Sequence, residues 1–411
     1  MQRRNVRRLG FALCVVFVGL ITGVATYQAP PGERKSDGLL RSELSLGGRT
    51  AILAYAPDLK ASDPANKALL SAPSSSARVR LGELETTGAL RIGPVDLGPP
   101  PSTQMPASDT ARPKSERTQP PFDPSQGLPA IRYELWLEST NDGWRIQAAD
   151  AHQTVVGNIP LARRPATTAA PTLLAALIPE DRTLGRLVLR WGEHEATTDV
   201  QFTNPSRRRI EENRGVNVTT KRTHDEDTSA LSRIRLLAQR NETALILPNG
   251  SRLSISFERT FAKGERPEGI QNSRGLGVDG SDFGNLLKTP DRNVVMLTES
   301  SVPRLSTAVP LRFSSSVIPI GNQAIGFPGE YGLWLKRVGS GWHLVFNNEP
   351  DVWGSQHDPK FDAAEIEVTH TEGHAASRPF AVGMVPTGSD RGRLVVLWGP
   401  HEWTADFVVG R

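Results

Sequence analysis

The sequence predicts an all-β protein: two tandem antiparallel β-sandwich-like domains that follow an N-terminal hydrophobic signal or anchor helix. Three observations predict it. Glycine and proline are abundant, 37 and 32 of 411 residues, as in chains of short strands joined by tight turns. Apolar and polar residues alternate with period two in many short runs, the period of a half-buried strand. The body also repeats itself. Tyr133-Glu-Leu-Trp-Leu137 matches Tyr331-Gly-Leu-Trp-Leu335, and Gly143-Trp144 matches Gly341-Trp342 at the same offset of 198. Residues 186–199 match 393–406 at nine of fourteen positions, at an offset of 207. Two collinear blocks with matched tryptophans mean a duplicated domain, because the period is far longer than the 20–50 residues of solenoid repeats.

The chain opens with Arg3, Arg4, Arg7 and Arg8, and residues 9–32 then carry no charge. A basic tip followed by the apolar run 11–21 reads as an export signal. Small residues at Gly23-Val-Ala25 allow cleavage after Ala25. Residues 9–27 are also close to the roughly 20 needed to span a bilayer, so an uncleaved anchor stays open. Either way the arginines leave the body outside the cytoplasm. Residues 1–30 are therefore read as signal peptide or membrane anchor. The protein is expected in the periplasm or beyond, or held on the periplasmic face of the cytoplasmic membrane.

Removing those four arginines from the 48 Lys and Arg leaves a body balanced against its 44 Asp and Glu. That argues against a nucleic-acid-binding face. The single cysteine, Cys14, lies in the apolar run, so disulfides, thiolate nucleophiles and Cys-ligated zinc are excluded from the body.

Residues 40–205 are read as the first domain, 206–242 as a charged linker and 243–411 as the second domain. Within the first, the Pro- and Ser-rich segment 99–129 reads as a disordered insertion between two strands. The first strands of the two halves are expected at 50–55 and 252–257. Residues 132–138 and 144–148 flank an Asn141-Asp-Gly143 turn, a hairpin signal that 331–337, Gly339-Ser-Gly341 and 342–346 repeat. Residues 186–190 and 393–397 lead into Trp-Gly turns and further strands. The only helix-period segment is 229–239. The matched tryptophans are expected to fill the core, with sugar stacking as the sharper alternative.

Tyr331-Gly-Leu-Trp, Gly341-Trp-His-Leu-Val-Phe-Asn347, Trp353-Gly-Ser-Gln-His-Asp358 with Asp362 four residues on, and Leu394-Val-Val-Leu-Trp-Gly resemble the domain-of-unknown-function family numbered 2911. The resemblance covers 245–411 and extends more weakly over 40–202, which implies a tandem pair. It implies an exported, β-rich bacterial protein without an assigned activity. The family's Trp-Arg-Thr-Gly stretch corresponds here to Leu287-Lys-Thr-Pro290, and its usual Tyr before Asp is His357. The first half lacks the Trp-Gly-x-x-x-Asp element.

That asymmetry selects the candidate site. A polar loop that one copy omits is not required by the fold, so Trp353, Gln356, His357, Asp358 and Asp362 are the candidate ligand-binding residues. An imidazole beside carboxylates could also serve a hydrolase or lyase, metal-assisted or not. Five of the eight histidines lie in the second half: His343, His357, His370, His374 and His401. His370-Thr-Glu-Gly-His374 would align polar groups on one strand face, yet no metal is assigned, since zinc needs three or four convergent ligands. His194 and His401 recur in Trp-Gly-x-His-Glu and read as structural. Gly275-Leu-Gly-Val-Asp-Gly280 matches a dinucleotide fingerprint in letters but lacks the strand before it and the helix after it. No catalytic residue is assigned, and no cofactor and no nucleic-acid partner is expected. The reading is a non-enzymatic binding or structural module whose partner is a small molecule, a glycan or an envelope protein, with membrane contact through residues 1–30 if uncleaved.

Overall fold

The computed structural model describes residues 37–46, 49–71, 77–98, 130–180, 184–202, 241–257, 294–296, 302–314, 316–320, 329–350, 357–373 and 380–410. The expected signal or anchor helix, the insertion 99–129 and the helix-period segment 229–239 lie outside them, as does nearly all of the linker 206–242. Among the described residues no helix is long and apolar enough to cross a membrane.

The chain is mostly β and antiparallel. In the first half the strands are β1 (Leu40–Leu46), β2 (Arg49–Tyr55), β3 (Arg78–Thr86), β4 (Leu90–Ile92), β5 (Val95–Leu97), β6 (Ile131–Thr140), β7 (Gly143–Ala149), β8 (Val155–Pro179) and β9 (Leu184–Phe202). In the second they are β10 (Asn241–Ile246), β11 (Arg252–Phe257), β12 (Val294–Met296), β13 (Arg304–Thr307), β14 (Leu311–Phe313), β15 (Val317–Ile318), β16 (Glu330–Val338), β17 (Gly341–Asn347), β18 (Asp362–Glu372), β19 (Ala381–Pro386), β20 (Arg391–Trp398) and β21 (His401–Val409). Strands 50–55 and 252–257 therefore exist, but each is the second of its half; β1 and β10 precede them. Among the described residues, β5 precedes the segment 99–129 and β6 follows it.

Among the described residues one α-helix interrupts the pattern, α1 (Pro64–Ser71). Its start is written in Asp63-Pro64. Proline fits a first helical position, and the Asp63 carbonyl accepts the Lys67 N–H at 2.7 Å. Only two turns long, α1 buries Leu69 and Leu70 and shows too little helical period to stand out in the sequence.

Hydrogen-bonded neighbours run β8–β7–β6–β3–β2–β1–β10–β11–β13–β16–β17–β18. The centre of this path is the β1–β10 pairing, which joins the two halves. Registers on either side of it repeat. Tyr133 faces Leu84, Leu84 faces Leu53 and Leu53 faces Ser42. In the second half Tyr331 faces Leu305, Leu305 faces Ile255 and Ile255 faces Thr243. Ser42 and Thr243 are thus equivalent, and so are their successors Glu43 and Ala244, which face each other directly. The halves meet as the two protomers of an isologous dimer would, each offering the same edge.

The far part of each half repeats too. Trp144 faces Leu161 and Trp342 faces Val368; Ala162 faces Thr197 and Thr369 faces Thr404. The end of β9 pairs with β4, as the end of β21 pairs with β14. β8 also packs on β1 and β2, and β19 on β10 and β11. One buried cluster runs through both halves, including Leu44, Trp144, Trp191, Leu245, Trp342 and Trp398. Across the junction the approach is tight: a Cβ on Gly383 would sit 3.1 Å from Ile178 Cγ2 and 3.5 Å from Pro179 Cδ.

Candidate functional site

Of the candidate residues, His357, Asp358 and Asp362 are described; Trp353 and Gln356 lie outside the described residues. Asp358 and Asp362 do not act on the histidine together. Asp358 caps the short 3-10 turn Pro359–Phe361, its Oδ1 accepting the Lys360 N–H at 3.0 Å. Asp362 opens β18 and turns inward. Its Oδ1 accepts from His357 Nε2 at 2.8 Å and from Asn347 Nδ2 at 2.9 Å. Asn347 also donates to the Asp358 carbonyl at 3.0 Å, while its own Oδ1 accepts the Glu349 N–H at 2.8 Å. The His357 ring stands edge-on to Trp334, with centroids 5.1 Å apart. Its side chain keeps only 12% of its exposure. These contacts make a latch that fastens the loop end to β16 and β17. Asn347 is the member that sequence reasoning missed. The register slips beside it, leaving Ala363 of β18 unpaired, so that Asp362 stands opposite Asn347, and a bulge has no letter in the sequence.

The other histidines fall into two groups. His343 Nδ1 lies 2.6 Å from Glu365 Oε1, and Lys336 Nζ lies 2.7 Å from Glu365 Oε2, a cross-strand set on β16, β17 and β18. His370 Nε2 lies 3.0 Å from His401 Nδ1. Trp403 stacks on His370 with centroids 5.4 Å apart, and Trp342 meets Trp403 edge-on at 5.2 Å. In the first half Trp144 meets His194 in the same way at 6.0 Å. His374 lies outside the described residues. Among those that are described, no group of three or more His, Cys, Asp or Glu side chains converges to hold a metal ion.

Burial pushes His370, His401 and His194 below the ordinary histidine value. The neighbouring His401 and Arg337 push His370 further down, against Glu372; Arg163 does the same to His194. The sign for stability follows. The unfolded chain takes up these protons near its ordinary value of about 6.5, above the folded values, so acidification favours unfolding. The urea midpoint is expected to fall between about pH 7.5 and about pH 5.5, and His370→Phe should flatten that fall. A midpoint that rises on acidification in this window would contradict the assignment.

A second feature went unread in the sequence. β21 has two partners along one edge: β18 pairs with it over His401–Thr404, and β14 over Phe407–Val409. Neither reaches Ala405 and Asp406. A notch opens there, lined by Ser314, Glu367, Thr369, Thr404, Asp406 and Arg393 with Phe313 and Ala405, and its volume is about 340 Å³. It shares Ser314, Glu367 and Thr369 with a wider cleft of about 550 Å³ that runs to Ser340, Trp342 and His370. Glu367 and Thr369 are exposed while Ile366 and Val368 between and beside them are buried, the alternation of an ordinary strand. That is why nothing in the local sequence marks the notch.

Residues 307–407 match the model of a family described as "Protein of unknown function (DUF2911)", which supports that family for the C-terminal region, from the end of β13 to β21. No curated protein and no solved structure matches the chain.

Proposed function

We propose that the protein is an exported, non-enzymatic binding module of the cell envelope, built from two tandem β-sandwich-like copies, with its recognition surface on the second. One observation carries this reading. At positions made equivalent by strand register, the second copy places Glu367, Thr369, His370 and Glu372 where the first has Pro160, Ala162, Arg163 and Pro165. The first copy folds without these polar groups, so in the second they are free to serve recognition. Export is supported by Arg3, Arg4, Arg7 and Arg8 ahead of the uncharged residues 9–32.

Two contacts weigh against the alternative, a hydrolase or lyase using His357 and Asp358. His357 Nε2 is engaged by Asp362, and the Asp358 carboxylate faces a backbone N–H of its own turn. A general base must reach a substrate proton, and here the His357 ring is turned onto Asp362 and Trp334 while Asp358 holds its own turn.

The test uses the full chain in cells. Photo-cross-linking from p-benzoylphenylalanine at position 369 should give an adduct in the envelope fraction, and the same residue at the equivalent position 162 should not. No adduct from 369, or an adduct confined to the cytoplasm, would overturn the proposal.

A further inference from the structure

We infer that the notch between β18, β14 and β21 binds a neutral saccharide. The inference rests on the binding-module reading above and names its ligand class.

The notch is a product of topology, and only one half leaves it open. In the first half the equivalent gap lies at Thr198 and Asp199 of β9, between the segments paired with β8 and β4. There the Gly93 N–H donates to the Asp199 carbonyl at 2.9 Å, and a Cβ on Gly93 would meet Thr198 Oγ1 at 2.9 Å. Val95 of β5 packs so closely on β8 that a Cβ on Gly157 would lie 2.2 Å from its Cγ1. Pro160 and Ala162 complete a small, apolar wall. In the second half Ser314, Glu367 and Thr369 stand in place of Gly93, Pro160 and Ala162, and the gap is a cavity of about 340 Å³.

Its chemistry selects among ligands. Few apolar side chains reach it, so a lipid tail or a flat aromatic would bury little surface. An anion is opposed as well. The guanidinium in the notch, Arg393, is engaged in parallel by Asp406, Nε to Oδ1 at 2.6 Å and Nη2 to Oδ2 at 3.0 Å, and Glu367 adds a further negative charge. What remains is an array of acceptors and hydroxyls on one face. Thr369 and Thr404 are cross-strand partners, with Glu367 two residues away along β18 and Asp406 two residues away along β21. Carboxylates accept strongly from hydroxyls, and serine and threonine both donate and accept. Adjacent hydroxyls of a pyranose ring supply the matching donors and acceptors at this spacing. The continuation toward Ser340 and His370 gives room for more than one sugar unit.

The experiment titrates the purified full chain with two neutral probes, a β-1,4-linked N-acetylglucosamine trisaccharide and cellotriose, and screens it on a glycan array. Saturable binding is expected. Glu367→Gln, a surface change of the same shape, should weaken it about tenfold or more, because a hydrogen bond to a charged acceptor contributes on that order. Binding that Glu367→Gln and Asp406→Asn leave unchanged would place the sugar elsewhere and overturn the inference. So would the absence of any neutral glycan that binds. The cross-linked adduct from position 369 separates the two levels of the argument. An adduct shortened by glycosidase supports the saccharide. An adduct shortened only by protease overturns the saccharide and leaves the binding module standing.

Discussion

Ala244→Pro is expected to lower the melting temperature of both halves together. Ala244 lies in β10, which has β1 on one side and β11 on the other. Every N–H of such a central strand donates to one neighbour or the other, so proline must remove a ladder bond and force its ring into a paired edge. The side chain it replaces is 1% exposed. The expected cost is above about 3 kcal/mol, beyond the range of most single substitutions. What makes the effect global is the shared core, in which Leu44 of one half and Leu245 of the other belong to the same cluster. The ion pair across the junction, Arg252 with Glu43, matters less, since Arg252 also pairs with Glu242 in its own half. Arg252 Nη2 lies 2.9 Å from Glu242 and 3.3 Å from Glu43, and Glu43→Ala should cost no more than about 1 kcal/mol, as partly exposed pairs do.

Hydrogen exchange on the intact chain reads the outcome by region. Coupled halves predict that β2 and β3 lose protection along with β11 when Ala244 becomes proline. Loss confined to β10 and β11, with two separate melting transitions, would show instead that 40–205 and 243–411 fold as independent domains.

How far the sequence could be read follows from what its patterns encode. The internal repeat of Trp-Gly-x-His-Glu and Tyr-x-Leu-Trp-Leu was legible because those letters recur, and strand period two is local. Leu40-Arg-Ser-Glu-Leu-Ser-Leu46 buries every second residue as well, with Ser42 as the one polar residue on the buried face. Alternation reports which face is buried and not which strand lies alongside, so the meeting of β1 with β10 had no sequence signal. The candidate loop was half legible. Its asymmetry singled out His357, Asp358 and Asp362, but not that Asp362 turns to Asn347 while Asp358 caps a turn. The notch could have been found only by aligning Glu367 with Pro160 and Thr369 with Ala162. Those matches rest on register, because the surrounding letters differ.

The largest effect expected of any side-chain truncation is at Trp191. Trp191 begins the Trp-Gly turn in β9 and is fully buried. Its Nε1–H donates to the Leu59 carbonyl at 3.1 Å, tying β9 to the chain before α1. Trp191→Ala should cost about 3–5 kcal/mol, the range for a core tryptophan that leaves a cavity. Trp191→Phe keeps most of the volume and removes one of two donors to the Leu59 carbonyl, which still accepts the Leu173 N–H at 2.9 Å, so about 1 kcal/mol is expected. The contrast that matters is with the latch. Asp358→Ala removes one turn cap, and His357→Ala removes a ring packed on Trp334 and its bond to Asp362. Each should cost less than Trp191→Ala, and Asp358→Ala about 1 kcal/mol, as helix caps typically do. Urea unfolding of the four variants measures the ranking. If His357→Ala proves as costly as Trp191→Ala, the loop is part of the core frame and its residues have no claim on ligand. If it is cheap, the loop end is fastened without being indispensable, and recognition by the neighbouring surface can be altered there without unfolding the protein.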